Sequence, residues 1–330
     1  MEYPPIGTLF TIKLGEKCFI SPISEQTYTT KRDAVLKKES RNASFSNEMP
    51  LGVDLRTCFY ASSILKSQNH EELKQIIEDG CSRNLLKGKR LMFIGYDTNA
   101  LRHRVNQVVE SLIAQKSRSS KSPIGFCLCG IVRSELSFQW DKKYKSSELS
   151  DIRYQFAQNF LNQAPKSARM ARLGAVEYKH LMTQTNCEEI EGRGRGDQAI
   201  INAYKSFAVD RNVDLVLISG DDNFTAMAHD EKIQAPYMKL PEQIRELTKF
   251  EANWDQIIDL IYCTAIVFGY IKLEDTEIYG VWRGKLEDDW DQYRINFDLK
   301  DINSYKKLFK DITIIENSEI QMANQMKEVK

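Results

Sequence analysis

The sequence predicts an α/β fold built on a mainly parallel sheet. Two observations predict it. From about residue 89 to 241, apolar runs of strand length alternate with stretches of helical period. That is the pattern of helices crossing over a parallel sheet. After it, three strand-like runs follow at short intervals, as in an antiparallel meander. Three regions are therefore expected: residues 1–88, a hairpin with helices; 89–241, the α/β domain; and 242–330, a helix and the meander. The two outer regions are expected to form one smaller, partly β unit, because three antiparallel strands need a further surface to pack on.

The elements follow in order. "GTLFTIKL" and "KCFISPI" flank "LGEK" and predict a hairpin. "YTTKRDAVLKKESRNASFSNEM" is polar and reads as a loop. "TCFYASSILKS" and "HEELKQIIEDG" read as helices; in the second, Leu73, Ile76 and Ile77 share a face and Gly80 marks the end. "RLMFIGY" is a strand, and "TNALRHRVNQVVESLIAQ" a single helix with Leu101, Val105, Val108, Val109, Leu112 and Ile113 as its apolar stripe. "PIGFCLCGI" is a buried strand, and "RSELSFQWDKKY" starts the next helix. "SDIRYQFAQNFLNQA" and "KSARMARLGAVEYKHLMTQ" are helical by period. "DQAIINAYKSFAVD" is a helix directly after a glycine-rich loop, "VDLVLIS" a strand, "NFTAMAHD" a short helix and "APYMKL" a short last strand. "PEQIRELTKFEANWDQIIDLIY" predicts a helix. "TAIVFGYIKL", "EIYGVWRGKL" and "DQYRINFDL" predict the meander, with turns at "EDT" and "EDDW".

Composition narrows the function classes. Hydrophobic residues make up 42% and charged residues 28%, as in ordinary soluble globular proteins. No apolar run reaches bilayer length, and "MEYPPIGTLF" lacks the layout of a signal peptide. A cytoplasmic protein without a membrane partner is expected. Seven cysteines are scattered along the chain. Cys127 and Cys129 share one strand face, and no second Cys or His pair sits at zinc-ligand spacing, so buried free thiols are expected. With 46 basic and 46 acidic residues the net charge is zero. This argues against wrapping nucleic acid over the whole surface and leaves room for a local basic groove.

Specific chemistry first shows at "FIGYDTNALRHR", where an apolar run ends in Asp97. In open α/β sheets, ligands bind beyond the carboxyl ends of the strands. Three further acids are delivered in the same way: Glu135 after the strand at 124–131, Asp197 at the start of its helix, and Asp221 after "DLVLIS", with Asp222 adjacent. Each has an ordinary alternative. Asp97 reads equally well as a helix N-cap, Glu135 as a solvated helix residue, Asp197 as a first-turn acid and Asp221 as a turn residue. Four acids converging would repel one another unless cations neutralise them. Mg²⁺ or Mn²⁺ suits such oxygen ligands and serves metal-assisted phosphodiester cleavage.

These motifs resemble those of the PIN-domain nucleases over residues of about 90 to 240. "DTNAL" after an apolar strand is similar to the family's opening motif, "VRSEL" to its second acidic segment at Glu135, and "GDQAIINAY" to its third at Asp197. "LVLISGDDNF" resembles the closing segment, with Asp221 the acid, Ser219 the hydroxyl residue and Phe224 the apolar anchor. The resemblance implies a PIN-like three-layer α/β/α fold, Mg²⁺ or Mn²⁺ dependence and endoribonuclease activity. The stretch between Glu135 and Asp197 is longer than the family pattern. Asn223 stands where some relatives carry another acid, and Asp222 offers a carboxylate beside it.

On this reading Asp97, Glu135, Asp197 and Asp221 form the catalytic, metal-holding set, with Asp222 as a further ligand. Asn99 and Ser219 orient Asp97 by hydrogen bonds; local turn and cap bonding is the alternative. Arg102, Arg104, Arg193 and Arg195 are candidates to grip phosphates by forked hydrogen bonds. "QKSRSSKSP" and "KSARMAR" could add a basic path for a single strand or be plain solvated faces. Glu188, Glu189 and Glu191 read as surface acids, with a place for one of them in the metal shell as the alternative. Tyr270, Tyr279, Trp282, Trp290 and Tyr293 could stack bases, although packing is the commoner role of strand aromatics. The expected partner is nucleic acid, RNA ahead of DNA. The oligomeric state stays open, a homodimer included. Two alternatives remain: a non-catalytic nucleic-acid-binding or assembly protein on the same fold, and a phosphohydrolase of another α/β family. Against the last, "YDTN" lacks the second Asp of the haloacid dehalogenase pattern.

Overall fold

The computed structural model describes residues 1–38, 48–116, 123–138, 164–184, 186–280 and 295–299. The chain opens with β1 (Glu2–Tyr3), β2 (Gly7–Thr8), β3 (Phe10–Lys13) and β4 (Cys18–Pro22), then α1 (Glu25–Lys38), α2 (Gly52–Ala61) and α3 (His70–Cys81). The middle region runs β5 (Met92–Tyr96), α4 (Thr98–Arg102), α5 (Val105–Lys116), β6 (Ile124–Cys129), α6 (Gly130–Ser137), α7 (Lys166–Met182), β7 (Cys187–Ile190), α8 (Asp197–Arg211), β8 (Asp214–Ile218) and α9 (Asp222–Asp230). Last come β9 (Phe250–Ala252), α10 (Trp254–Phe268), β10 (Tyr270–Leu273), β11 (Thr276–Tyr279) and β12 (Asn296–Leu299).

The middle strands form a four-stranded sheet in the order β7-β6-β5-β8, parallel throughout. The inner strands β5 and β6 are buried along their whole length, which explains their unbroken apolar sequences. The order reverses at β5: the chain moves outward through β6 and β7, then returns to place β8 on the other side of β5. The β5–β8 boundary is thus a topological switch point, where open α/β sheets leave a crevice. Pairing of Tyr96 with Ile218 sets the register there. It puts Asp97 level with Ser219.

The outer regions interlock as expected. The hairpin β3–β4 takes β9 as its third strand, and β1 pairs with β10 in a five-stranded sheet of order β12-β11-β10-β1-β2. Among the described residues there are two apolar cores. One lies around the parallel sheet; the other gathers Tyr3, Phe10, Tyr28, Phe59 and Phe268 from both chain ends. Tyr270 and Tyr279 are buried against each other, with ring centroids 5.2 Å apart, so they pack rather than present a stacking surface. Trp282, Trp290, Tyr293, the turn "EDDW", "QKSRSSKSP" at 117–122, and "SDIRYQFAQNFLNQA" up to 163 lie outside the described residues.

Five expectations are corrected. The polar stretch after β4 is helical over Glu25–Lys38. Ser24 supplies its start by accepting from Thr27 N–H at 3.1 Å, and Tyr28 and Val35 are its buried anchors. The helix expected from Thr98 onward is two helices, broken where Arg104 adopts φ 55°. The helix expected from Pro241 begins only at Trp254, behind a capping box between Asn253 and Gln256. It then runs through the β-branched "TAIVF" to Gly269 (φ 77°). Burial of Ile266, Val267 and Phe268 overrides their strand preference. A fourth parallel strand, β7, covers "CEEI", where no apolar run advertised it; it is a charged edge strand. "APYMKL" forms only an isolated bridge, between Tyr237 and Ser219 just past β8, with Met238 N–H donating to Ser219 O at 2.7 Å.

All seven cysteines are free thiols, with Cys127 and Cys129 buried in β6. No helix among the described residues is long and apolar enough to cross a membrane.

Candidate functional site

Each strand of the parallel sheet leads, just past its carboxyl end, to one of the four acids. Asp97 follows β5 directly, Glu135 sits on α6 after β6, Asp197 opens α8 after β7, and Asp221 lies between β8 and α9. All four line one cavity of about 170 Å³ at the switch point, together with Thr98, Asn99 and Arg102.

Asp97 is 4% exposed. Its Oδ1 accepts the Ala100 N–H at 2.6 Å, capping α4, and its Oδ2 accepts the Ser219 hydroxyl at 2.5 Å. Cap and site residue are therefore one and the same. Burial pushes the Asp97 carboxyl up to about 6; the two hydrogen bonds oppose that rise, and the charges of Asp221 and Asp197 add to it. Asp197 is also raised, by burial and then by Asp221. These carboxyls therefore feel one another across the cavity.

Ser219 has a second task. It accepts the Asp221 N–H at 2.9 Å, so one hydroxyl ties two acids together. Asp221 caps α9, its Oδ1 accepting from Asn223 N–H at 2.8 Å and Phe224 N–H at 3.3 Å, while buried Phe224 anchors that turn. Glu135 accepts the Thr98 hydroxyl. Gly196 precedes Asp197 with φ 80°, a backbone state that favours glycine.

The cations divide. Arg102 lines the acidic cavity and also a neighbouring cleft of about 590 Å³, which it shares with Glu135, Arg195 and the glycine edges of 192 and 194. Burial lowers the Arg102 pKa, against the pull of Glu135 and Asp97. Arg193 is exposed and lines neither space. Arg104 turns inward. Its Nε lies 2.6 Å from Glu177 and its Nη1 2.8 Å from Asp259, and Asn106 and Gln107 complete the Glu177 carboxylate at 2.6 and 2.7 Å. The left-handed turn at Arg104 sends it into the junction of the two cores instead of the cleft.

"KSARMAR" is interior as well. Arg169 donates to the Ile266 and Val267 carbonyls at 3.1 and 3.2 Å, satisfying the end of α10, and Arg172 donates to Gly280 O. Asp222 is exposed and lies outside the cavity wall. Asn99 lines the cavity, while the bonds to Asp97 come from Ser219 and Ala100. Glu188 and Glu189 pair with Arg211 (2.6 Å) and Arg133 (2.9 Å) as surface acids.

Two contributors were not singled out from sequence. Thr98 was hidden inside "DTN" as an ordinary first-turn residue. Tyr204, buried on α8, donates to Tyr96 O at 2.9 Å and accepts from Tyr96 N–H and Cys129 N–H, each at 3.3 Å. Its hydroxyl fills the gap where β5 and β6 part, and Gly95 leaves it room: a Cβ there would meet the Tyr204 ring at 2.5 Å. Its apolar-stripe position was the only sequence signal.

Among the described residues, no three His, Cys, Asp or Glu side chains stand close enough to hold an ion between them. Mg²⁺ is usually held by one or two carboxylates, with water filling its remaining positions. The donor set is all oxygen, its acids face one cavity, and its most buried carboxyl carries a raised pKa. In chemistry, then, these residues fit a hard divalent cation. No family model matches the chain, nor does any curated protein or solved structure.

Proposed function

We propose that the chain is a metal-dependent nuclease with a PIN-like three-layer α/β/α domain, hydrolysing phosphodiester bonds of single-stranded RNA. One observation carries the reading: four carboxylates from four separate segments line a single cavity at the switch point of a parallel sheet. Crossovers to parallel neighbours are right-handed, so the reversal at β5 favours helices on both faces, as three layers require.

Asp97, Glu135, Asp197 and Asp221 would hold Mg²⁺ or Mn²⁺, no more than two of them directly and the others through water. A bound ion of this kind supplies a water of lowered pKa and neutralises charge developing at phosphorus. Ser219 fixes the Asp97 carboxylate and, through its bond to Asp221 N–H, the spacing between those acids. Arg102 and Arg195 border the wider cleft and are placed to bind the phosphates of a strand leading to the acids. Histidine has no role in this scheme.

The test is cleavage of labelled single-stranded RNA and DNA in Mg²⁺, Mn²⁺ or EDTA. Cutting of RNA that EDTA stops and Asp97→Asn abolishes is the expected result. The spacing of the acids favours one second reading, a non-catalytic nucleic-acid-binding protein; binding without cleavage in every metal would select it. Phosphate release from small esters, with nucleic acid untouched, would overturn both in favour of a phosphohydrolase.

A further inference from the structure

The cleft beside the acids has an aromatic wall that phosphate binding does not explain. Along α6, Ile131, Glu135 and Phe138 fall at i, i+4 and i+7, so they share one helical face. All three line the cleft of about 590 Å³, and Glu135 also lines the acidic cavity. Phe138 keeps helical backbone geometry at the C-terminal cap position. Its Cβ therefore stands about 5–6 Å from that of Glu135. A strand bound at Glu135 has the Phe138 ring within reach, one turn further along. Ile131 is buried in the core, whereas Phe138 is 75% exposed. A single exposed apolar side chain is ordinary. This one lines a cleft that opens onto four carboxylates and carries two arginines.

The other wall is the loop between β7 and α8. Gly192 brings its bare backbone against α6: a Cβ there would meet Ile131 Cδ1 at 2.5 Å and Cys129 Sγ at 3.1 Å. Gly194 has φ 100°, a state that favours glycine. Arg195 follows and is exposed. Arg102 stands where cleft and cavity join. Guanidinium groups suit phosphates, and their planes also stack on bases, as aromatic rings do. A basic groove set with an aromatic ring is the arrangement that holds single strands. The volume lies within the range of ligand pockets, about 300–1,000 Å³.

We propose, on the basis of the nuclease reading, that Phe138 is a specificity-determining residue. It stacks the base of the nucleotide next to the bond that is cut, while Arg102 and Arg195 hold the adjoining phosphates. Paired bases are already stacked in their own helix and must be pulled out to reach the ring. The cleft therefore selects an unpaired strand. It accepts any base, because every base has a π-face.

The experiment measures binding of a short single-stranded RNA to the whole protein carrying Asp97→Asn, in Mg²⁺, so that the strand is held and not cut. One abasic nucleotide is walked along the strand. Each strand is tested on that protein and on its Phe138→Ala and Phe138→Tyr derivatives. Expected is one position where loss of the base weakens binding about tenfold to a hundredfold, the scale of one stacked base. Phe138→Ala should lose the same factor on the intact strand and nothing more from the abasic site, and Phe138→Tyr should restore the effect. A fluorescent purine analogue at that position should change its emission on binding with Phe138 or Tyr and not with Ala. Fully paired RNA should bind all three proteins equally. Losses that simply add, duplex binding that falls in Phe138→Ala, or no binding of any strand would each overturn the proposal. Cleavage by the wild type, assayed separately, tells the two readings apart. Cutting without coupling at Phe138 removes the stacking site alone; coupling without cutting removes the nuclease reading and leaves the stacking site.

Discussion

The Ser219 hydroxyl donates to Asp97 Oδ2 at 2.5 Å across 122 residues of sequence. It lowers a carboxyl pKa that burial and two neighbouring acids push up. Ser219→Ala removes that restraint, so the Asp97 pKa should rise beyond about 6. A hydrogen bond to a charged group is worth about 1.5–3 kcal/mol, or roughly one to two pH units. The acid limb of a cleavage pH profile should move up by that amount. A carboxyl ¹³C titration of Asp97 should show the same change without relying on activity; an unmoved pKa would mean that Ser219 does not restrain it.

Asp97 also makes stability depend on pH. Its folded pKa of about 6 lies above the ordinary 3.8, so between those values the folded state holds the extra proton. Stability is then greatest below about pH 4 as far as this group is concerned. It is lost as pH rises through about 6, by roughly 3 kcal/mol in all. In EDTA, Asp97→Asn should therefore unfold at a higher temperature than wild type at pH 7, with the gap closing near pH 4. A gap of constant size across that range would refute the assignment.

The two arginines of "RHR" should behave differently. Arg102→Ala and Arg195→Ala should weaken RNA binding and reduce its salt dependence by about one ion each. Arg104→Ala should instead lower global stability by about 3–5 kcal/mol, because it strands the buried Glu177. Chemical denaturation and filter binding, run on all three variants, separate these effects.

The neighbouring acids of "SGDDNF" form an internal control. Asp221 faces the cavity and Asp222 faces solvent. Asp221→Asn should reduce metal-dependent cleavage by about two orders of magnitude or more, the scale of losing a group aimed at the reacting centre. Asp222→Asn should leave it within about twofold, as for a surface change. Equal loss in both would shift the site onto α9.

Tyr204→Phe tests the support beneath the acids. It removes a hydroxyl that serves both Tyr96 and Cys129, and the unpaired backbone groups should cost about 1–3 kcal/mol. Hydrogen exchange should speed up at Tyr96 and Cys129 before it does elsewhere in the sheet.

Much of the candidate site was legible because its signals are local. An apolar run that ends in an acid marks a strand end wherever it occurs, so Asp97 and Asp221 could be placed from a few neighbouring residues, and Asp197 from the glycine-rich loop and helix around it. The strand β7 escaped notice because an edge strand carrying Glu188 and Glu189 has no apolar run to display. The helix at Glu25–Lys38 escaped because Tyr28 and Val35 are the only apolar side chains it buries.

By itself, then, the amino-acid order determined which segments alternate, where their carboxylates emerge, and that both chain ends share a β unit. Only the tertiary structure decided that Ser219 meets Asp97, that Arg102 faces the cavity while Arg104 is buried, and that "TAIVF" completes a helix. The reason is physical. Periodicity reports the burial of a segment against something, whereas a hydrogen bond, an ion pair or an overridden propensity depends on what that something is, and its partner lies many residues away.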